Sequence, residues 1–295
     1  MSTLNPLHTT PKTLSNLARR RAVEKAFAFV CLAATCLGLL LLVVLLWGVF
    51  QDGIHWVNAN FLTNFGSRTA TRAGIKAGLY GTIWVIGFTG LLAIPIGIAA
   101  AIYLEEMAPK NRLTEFLQTN IANLAGVPSI VYGLLGLAVF VHFLKFGQSV
   151  LSGALTMSLL ILPTVILTTQ EALRAVPSSL REASYGLGAT QWQTIRHQVV
   201  PAAFSGIITG IILSLSRAIG ETAPLITIGA FSSISRVPER LQSEFTVLPI
   251  LIFNWTTDTK EGFKNVAAAT IIVLLGVLLA MNSLAIYLRY RRRTL

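Results

Sequence analysis

Charge is scarce in this chain. Only 12% of its residues are Asp, Glu, Lys or Arg, against about 25% in soluble domains. Apolar residues make up 54%, and the mean hydropathy is +0.68. This composition points to a membrane as solvent and argues against an ordinary soluble enzyme. Nucleotide-binding chemistry is missing as well. No G-x-x-x-x-G-K-S/T loop occurs, and Gly74-Ile75-Lys76 has only its second half. The four histidines, His8, His55, His142 and His197, are scattered, so no H-E-x-x-H or similar metal cluster forms. An intramembrane enzyme would need such ligands or a nucleophile–base pair. The two cysteines, Cys31 and Cys36, both sit in one apolar block and read as small apolar side chains.

The charges that are present are mostly basic, giving a net charge of +11. They cluster beside apolar blocks, as the positive-inside rule describes. No basic groove interleaved with aromatics appears, so no nucleic-acid partner is expected. The expected surroundings are membrane lipid.

A spanning helix needs about 20 mostly apolar residues. Six segments qualify: Ala26–Phe50, Leu79–Leu104, Ser129–Leu144, Leu151–Thr169, Ala202–Ala230 and Val266–Tyr287. The third follows Pro128, which leaves room for an earlier start near Ile121. The first is too long for a signal-peptide core and no small-residue cleavage site follows it, so it reads as an anchor. The fold class is all-α, a polytopic membrane protein. Lys12, Arg19, Arg20, Arg21 and Lys25 precede the first span, and Arg289, Arg291, Arg292 and Arg293 end the chain. Both termini are therefore expected in the cytoplasm. Residues 105–120 and 170–200 then face the same side, and 51–78, 145–150 and 231–265 face outward. A loosely ordered tail is expected over 1–20, and a surface fold-back over 231–265. Asn254-Trp255-Thr256 matches a glycosylation sequon by chance.

The segment from Glu171 to Pro201 is long for a loop between spans. Ser179-x-x-Glu182 and Thr190-x-x-Gln193 each fit a capping box. Gly186 and Gly188 between them are helix stops. The spacing predicts two short helices joined by a glycine turn outside the membrane. Pro201 is expected near the start of the fifth span, where its missing N–H costs nothing.

Glu182-Ala183-Ser184-x-x-x-Gly188, followed by Pro201, resembles the EAA loop of ABC importer permeases. That pattern reads Glu-Ala-Ala, three residues, Gly, nine residues, Ile, one residue, Leu-Pro. The chain departs from it at Ser184, Gln198 and Val200, and the later departures bear on how the second short helix packs. The resemblance implies that this loop, with Glu182, Ala183, Tyr185 and Gly188, docks on a separate ATPase subunit. This chain is then a non-catalytic subunit that binds no cofactor, and ATP and Mg belong to that partner.

Arg217 and Glu221 stand four residues apart within apolar sequence. A charge at mid-membrane costs at least ~2.5 kcal/mol, so it faces a pathway or a partner. Two readings stay open. One is a staple between helices, although Arg before Glu is the weaker order for such a pair. The other is an oxyanion site. Arg offers a planar fork to phosphate, and Glu accepts a hydrogen bond from the P–OH that phosphate keeps near neutral pH and sulfate lacks.

Arg217-Ala218-Ile219-Gly220-Glu221-Thr222-Ala223-Pro224 resembles the signature of phosphate ABC transporter permeases of the PstA type. Ala101-Ile102-Tyr103-Leu104-Glu105-Glu106 and Leu124-Ala125-Gly126-Val127-Pro128-Ser129-Ile130-Val131-Tyr132-Gly133 agree with it. The likeness covers roughly residues 70–290. It implies a six-helix MetI-like permease fold in a bacterial inner membrane and a substrate pathway through Arg217, Glu221 and Thr222. It also implies four partners: a PstC-like permease, two PstB-like ATPase subunits and a PstS-like external binding protein. The expected layout is a cytoplasmic tail over 1–25, the first span and external loop over 26–69, the permease domain over 70–290 with its coupling loop at 171–201, and a basic tail at 291–295. Rival readings are a permease for sulfate or phosphonate, and a membrane sensor or scaffold in phosphate signalling.

Overall fold

The computed structural model describes residues 11–230 and 234–291. The chain divides into two units, Met1–Gln51 and Asp52–Leu295. The first is formed by one helix, α1 (Pro11–Gly53), which ends just across the boundary. Its apolar side chains from Phe27 to Trp47 face outward all round. A helix apolar on every side requires an apolar solvent. The expected loose tail is helical from Pro11 onward, and residues 1–10 lie outside the described set.

The second unit begins with two single turns, Ile54–Trp56 and Ala70–Arg72, around the short helix α2 (Ala59–Thr63). The long helix α3 (Lys76–Ile102) follows and runs on through a π-helical turn, Tyr103–Met107. Next come α4 (Arg112–Ala125) and α5 (Ser129–Gly136), the latter extended by a second π turn to Phe143. Helix α6 (Val150–Arg174) crosses the centre of the bundle. Met157, Ile161, Val165 and Leu173 repeat at helical spacing along it and are essentially buried. The segment between α6 and α9 holds α7 (Ser178–Gly186) and α8 (Gln191–Thr194). A third π turn, Ile195–Val199, joins α8 to α9 (Val200–Gly220). The rest is α10 (Ala223–Ile228), α11 (Leu248–Thr257) and α12 (Phe263–Arg291).

Apolar clusters fill the bundle from end to end. One end packs Phe61, Ile75, Leu248, Trp255 and Phe263. The middle packs Val85, Tyr132, Met157, Ala218, Leu225 and Phe245. The other end packs Leu173, Val176, Val199, Ala203 and Ile207. Most polar groups inside find partners, as a lipid solvent demands, although among the described residues Thr169 Oγ1, Gln170 Nε2 and Thr246 Oγ1 are buried without one. The Ser158 hydroxyl donates to the Ala154 carbonyl at 2.6 Å, and the Thr82 hydroxyl accepts from the Leu248 N–H at 3.0 Å.

Several expectations need correction. Five helices are long and apolar enough to span, or six if α4 and α5 count as one. That pair is bent by 100°, so no straight span starts at Ile121. Pro128 caps α5 and offers no N–H to continue α4. The expected span Ala202–Ala230 stops at Gly220, because Gly220 ends a helix readily and Pro224 has no N–H to bond the Gly220 carbonyl of a continuing helix; it sits instead in the first turn of α10. Among the described residues of the stretch expected as a surface fold-back, 234–265, Phe245, Val247, Leu248 and Ile250 are buried in the core. The second short helix does not stop before the fifth span. Helix runs unbroken from Gln191 to Gly220, and the π turn just ahead of Pro201 absorbs the hydrogen bond the proline cannot make.

Candidate functional site

The pathway candidates meet where α9 ends. Arg217 lies in its last turn, Glu221 is the residue that follows it, and its backbone there is extended. The two are therefore not neighbours along a regular helix. Their side chains still meet, with Arg217 Nε 3.4 Å from Glu221 Oε1. Charge-assisted bonds usually close to about 2.7–2.9 Å, so the guanidinium is held loosely. Its side chain is 57% exposed and that of Glu221 20%. Among the described residues no second carboxylate reaches the guanidinium. Thr222 lies beside the pair, and its hydroxyl reaches only the Gly220 carbonyl, at 3.5 Å. Behind the break, α10 packs on α5, where Gly133 lets Thr227 and Pro224 approach. An exposed cation with unused donors, beside a carboxylate and a hydroxyl, can take a tetrahedral anion.

The hairpin of α7 and α8, expected from the sequence to couple to an ATPase, forms a second candidate site at the end of the bundle where α3 and α6 finish. Thr190 and Gln193 cap each other: Gln193 N–H donates to Thr190 Oγ1 at 3.3 Å, and Thr190 N–H to Gln193 Oε1 at 2.9 Å. The matching box at Ser179 does not form. Pro177 occupies the cap, and Ser179 is already inside α7. Gly188 has φ +82°, so the glycine turn stands as expected. Ser184, a departure from the EAA pattern, has a local explanation. Its hydroxyl lies 2.8 Å from that of Thr194 and ties α7 to α8. Outward from this hairpin point Tyr185, Leu187, which is 90% exposed, and Trp192. Glu182 and Ala183 are exposed too, and Ala183 lines a groove of about 400 Å³ with Leu180, Leu187 and His197. An exposed apolar face of this kind is chemically suited to meet another protein.

Sequence reasoning gave no role to the residues that anchor this hairpin. Glu105 and Glu106 lie in the π turn after α3. Arg174 Nε donates to Glu105 Oε1 at 2.9 Å and its Nη2 stands 2.8 Å from Oε2 as an ion pair, while Arg181 forks onto Glu106 at 3.2 and 2.6 Å. Arg181 also donates to the carbonyls of Leu173 and Val176. Its guanidinium is held above its usual pKa chiefly by the hydrogen bond to Glu106, with burial opposing. The one signal in sequence was the doublet Glu105-Glu106 directly after a span.

Comparison with known proteins places this geometry. Residues 93–293 match the family described as binding-protein-dependent transport system inner membrane component. The phosphate transport system permease protein PstA 1 of Mycobacterium tuberculosis is 33% identical over 97% of this chain and 94% of its own length. The PstA protein of Yersinia pestis is 32% identical, over 91% of this chain and 90% of its own. A PstC permease of Mesorhizobium japonicum is 30% identical, over 72% and 78%. Among solved structures, the bacterial alginate ABC transporter in complex with its substrate-bound periplasmic protein superposes with a TM-score of 0.64 at 15% identity, covering 92% of this chain and 96% of that one. The inward-facing MetNI methionine ABC transporter gives 0.62 at 16%, covering 73% and 94%. These two share the fold. The chain belongs to the family of binding-protein-dependent transport system inner membrane components, and within it to the PstA-type permeases.

Proposed function

We propose that this chain is the membrane-spanning permease subunit of an ATP-driven importer for inorganic phosphate. It forms half of the translocation pathway, with a PstC-like permease supplying the other half. Two PstB-like subunits hydrolyse ATP with Mg and dock on the hairpin of α7 and α8. A PstS-like protein delivers phosphate from outside. Both termini face the cytoplasm, and the chain itself performs no chemistry on ATP. Its PstA relatives, similar over nearly the full length, support this reading.

The observation that carries the pathway assignment is the open pair at the break after α9. At 3.4 Å, Arg217 and Glu221 are close enough to offset each other's charge and loose enough to trade partners. Arg217 holds the anion transiently through two parallel N–H bonds. Glu221 repels a fully ionised anion but accepts the hydrogen bond of a P–OH. Thr222 offers a hydroxyl on the same side of the break. Replacing Glu221 by Gln keeps its size and removes its charge. In a reconstituted transporter that works without its binding protein, Glu221→Gln should slow phosphate movement and let relatively more sulfate through. Wild-type phosphate rates with unchanged exclusion of sulfate would reduce the pair to a staple between helices.

A further inference from the structure

The ends of α3 and α6 and the starts of α7 and α8 meet at one carboxylate. The Glu106 side chain is only 8% exposed and Arg181 is 21% exposed. Arg181 forks onto it at 3.2 and 2.6 Å. The same guanidinium donates at 3.0 Å to the carbonyl of Leu173, inside the last turn of α6, and at 2.8 Å to that of Val176, just past it. Both carbonyls lie where the helix runs out of regular donors, and that of Leu173 otherwise accepts only from the turn that closes α6, the Val176 N–H at 3.2 Å among them. From the other side, the Gln191 amide of α8 donates to the Glu106 backbone carbonyl. Glu105, next in the same turn, holds Arg174 at the end of α6. Under the clamp lies apolar packing of Leu173, Val176 and Val199 against Ile98, Ile102 and Leu180.

Apolar packing alone resists separation but permits sliding and rotation. A planar fork answered by a planar carboxylate fixes orientation as well. The π turn Tyr103–Met107 aims both acids out of the α3 helix toward these partners.

We propose that Glu106 and Arg181 are positioning residues that lock the coupling hairpin to α3 and α6, so that a push on α7 moves both membrane helices as one body. This rests on the importer reading above and names the part that transmits the stroke. Neither residue touches the cargo. Loss of the clamp should leave ATP hydrolysis running while movement of the hairpin no longer reaches the pathway.

The complete transporter, reconstituted in vesicles, gives the ATP consumed per phosphate imported. In Glu106→Gln, hydrolysis should stay within about twofold of wild type while ATP per phosphate rises about tenfold, an ordinary size for coupling between sites. Arg181→Lys keeps the charge, loses the fork and should fall between. Arg181→Gln combined with Glu106→Gln should be no worse than either alone. A second readout does not depend on cargo. In a background where Cys31 and Cys36 are replaced, spin labels at exposed positions 110 and 179 report the distance from the α3 end to α7. The distance distribution should be narrow in wild type and broad in Glu106→Gln, even if phosphate proves not to be the cargo. An unchanged distribution in both Glu106→Gln and Arg181→Lys overturns the clamp. So does a parallel fall of hydrolysis and transport with the distance kept.

Discussion

Two glycines flank the tip of the coupling hairpin, and the structure assigns them opposite sensitivities. Gly188 has φ +82°, and a Cβ built on it would meet nothing within 4 Å. Any penalty for a side chain there is therefore a backbone penalty with no clash in it. A left-handed conformation costs an L-residue roughly 1–2 kcal/mol, and a β-branched side chain sits at the upper end. Gly188→Val should thus destabilise the turn by about 2 kcal/mol, or about 30-fold in the population that presents Tyr185 and Leu187 correctly. Gly186 closes α7, needs no positive φ and also faces open space. Gly186→Ala should stabilise the helix by about 0.5–1 kcal/mol. Gly188→Asn tolerates the left-handed region and should lie between. The assay is titration of the purified ATPase subunit onto the membrane subunits, reading the dissociation constant for each variant. Gly188→Val binding within twofold of wild type would refute the reasoning. Gly188→Ala weakening binding no more than Gly186→Ala would refute it too, since both positions are open and differ in backbone conformation.

Other parts of the molecule make equally definite predictions. Thr194→Val removes one end of the Ser184–Thr194 hydrogen bond and should cost about 1 kcal/mol in thermal stability, with Ser184→Ala adding little on top of it. Gly133→Ala would set a Cβ 2.7 Å from Pro224 Cα; backbone must move, so the thermal midpoint should fall by an amount matching roughly 1–3 kcal/mol of overpacking, and an unchanged midpoint would contradict the contact of α5 with α10. Ser179 and Gln242 are both exposed, at opposite ends of the bundle. In intact cells an impermeant thiol reagent should label Gln242→Cys and spare Ser179→Cys, and the reverse would invert the assigned orientation.

Local signals were legible in the sequence wherever chemistry and chain position coincide. The long apolar runs marked the spanning helices, because a lipid solvent leaves no alternative to internally hydrogen-bonded backbone. Thr190 and Gln193 announced their capping box, and Gly188 its turn. Legibility failed where partners lie far apart along the chain. Glu106 and Arg181 are 75 residues apart, and no spacing rule connects them. The break at Glu221 was readable in principle, since Gly220 and Pro224 bracket it, but unbroken hydropathy through Ala230 concealed it. The burial of Phe245 to Ile250 was hidden for a related reason. A short apolar segment between charged stretches looks like a surface turn until the groove that receives it is known.

The central claim, that Arg217 carries phosphate through a permease driven by a separate ATPase, is tested most directly by uptake of labelled phosphate into vesicles holding the complete complex. Uptake should require ATP and should drop to background in Arg217→Gln, while the variant still assembles with its ATPase subunits and hydrolyses ATP. Uptake by an assembled Arg217→Gln complex at the wild-type rate would contradict the account.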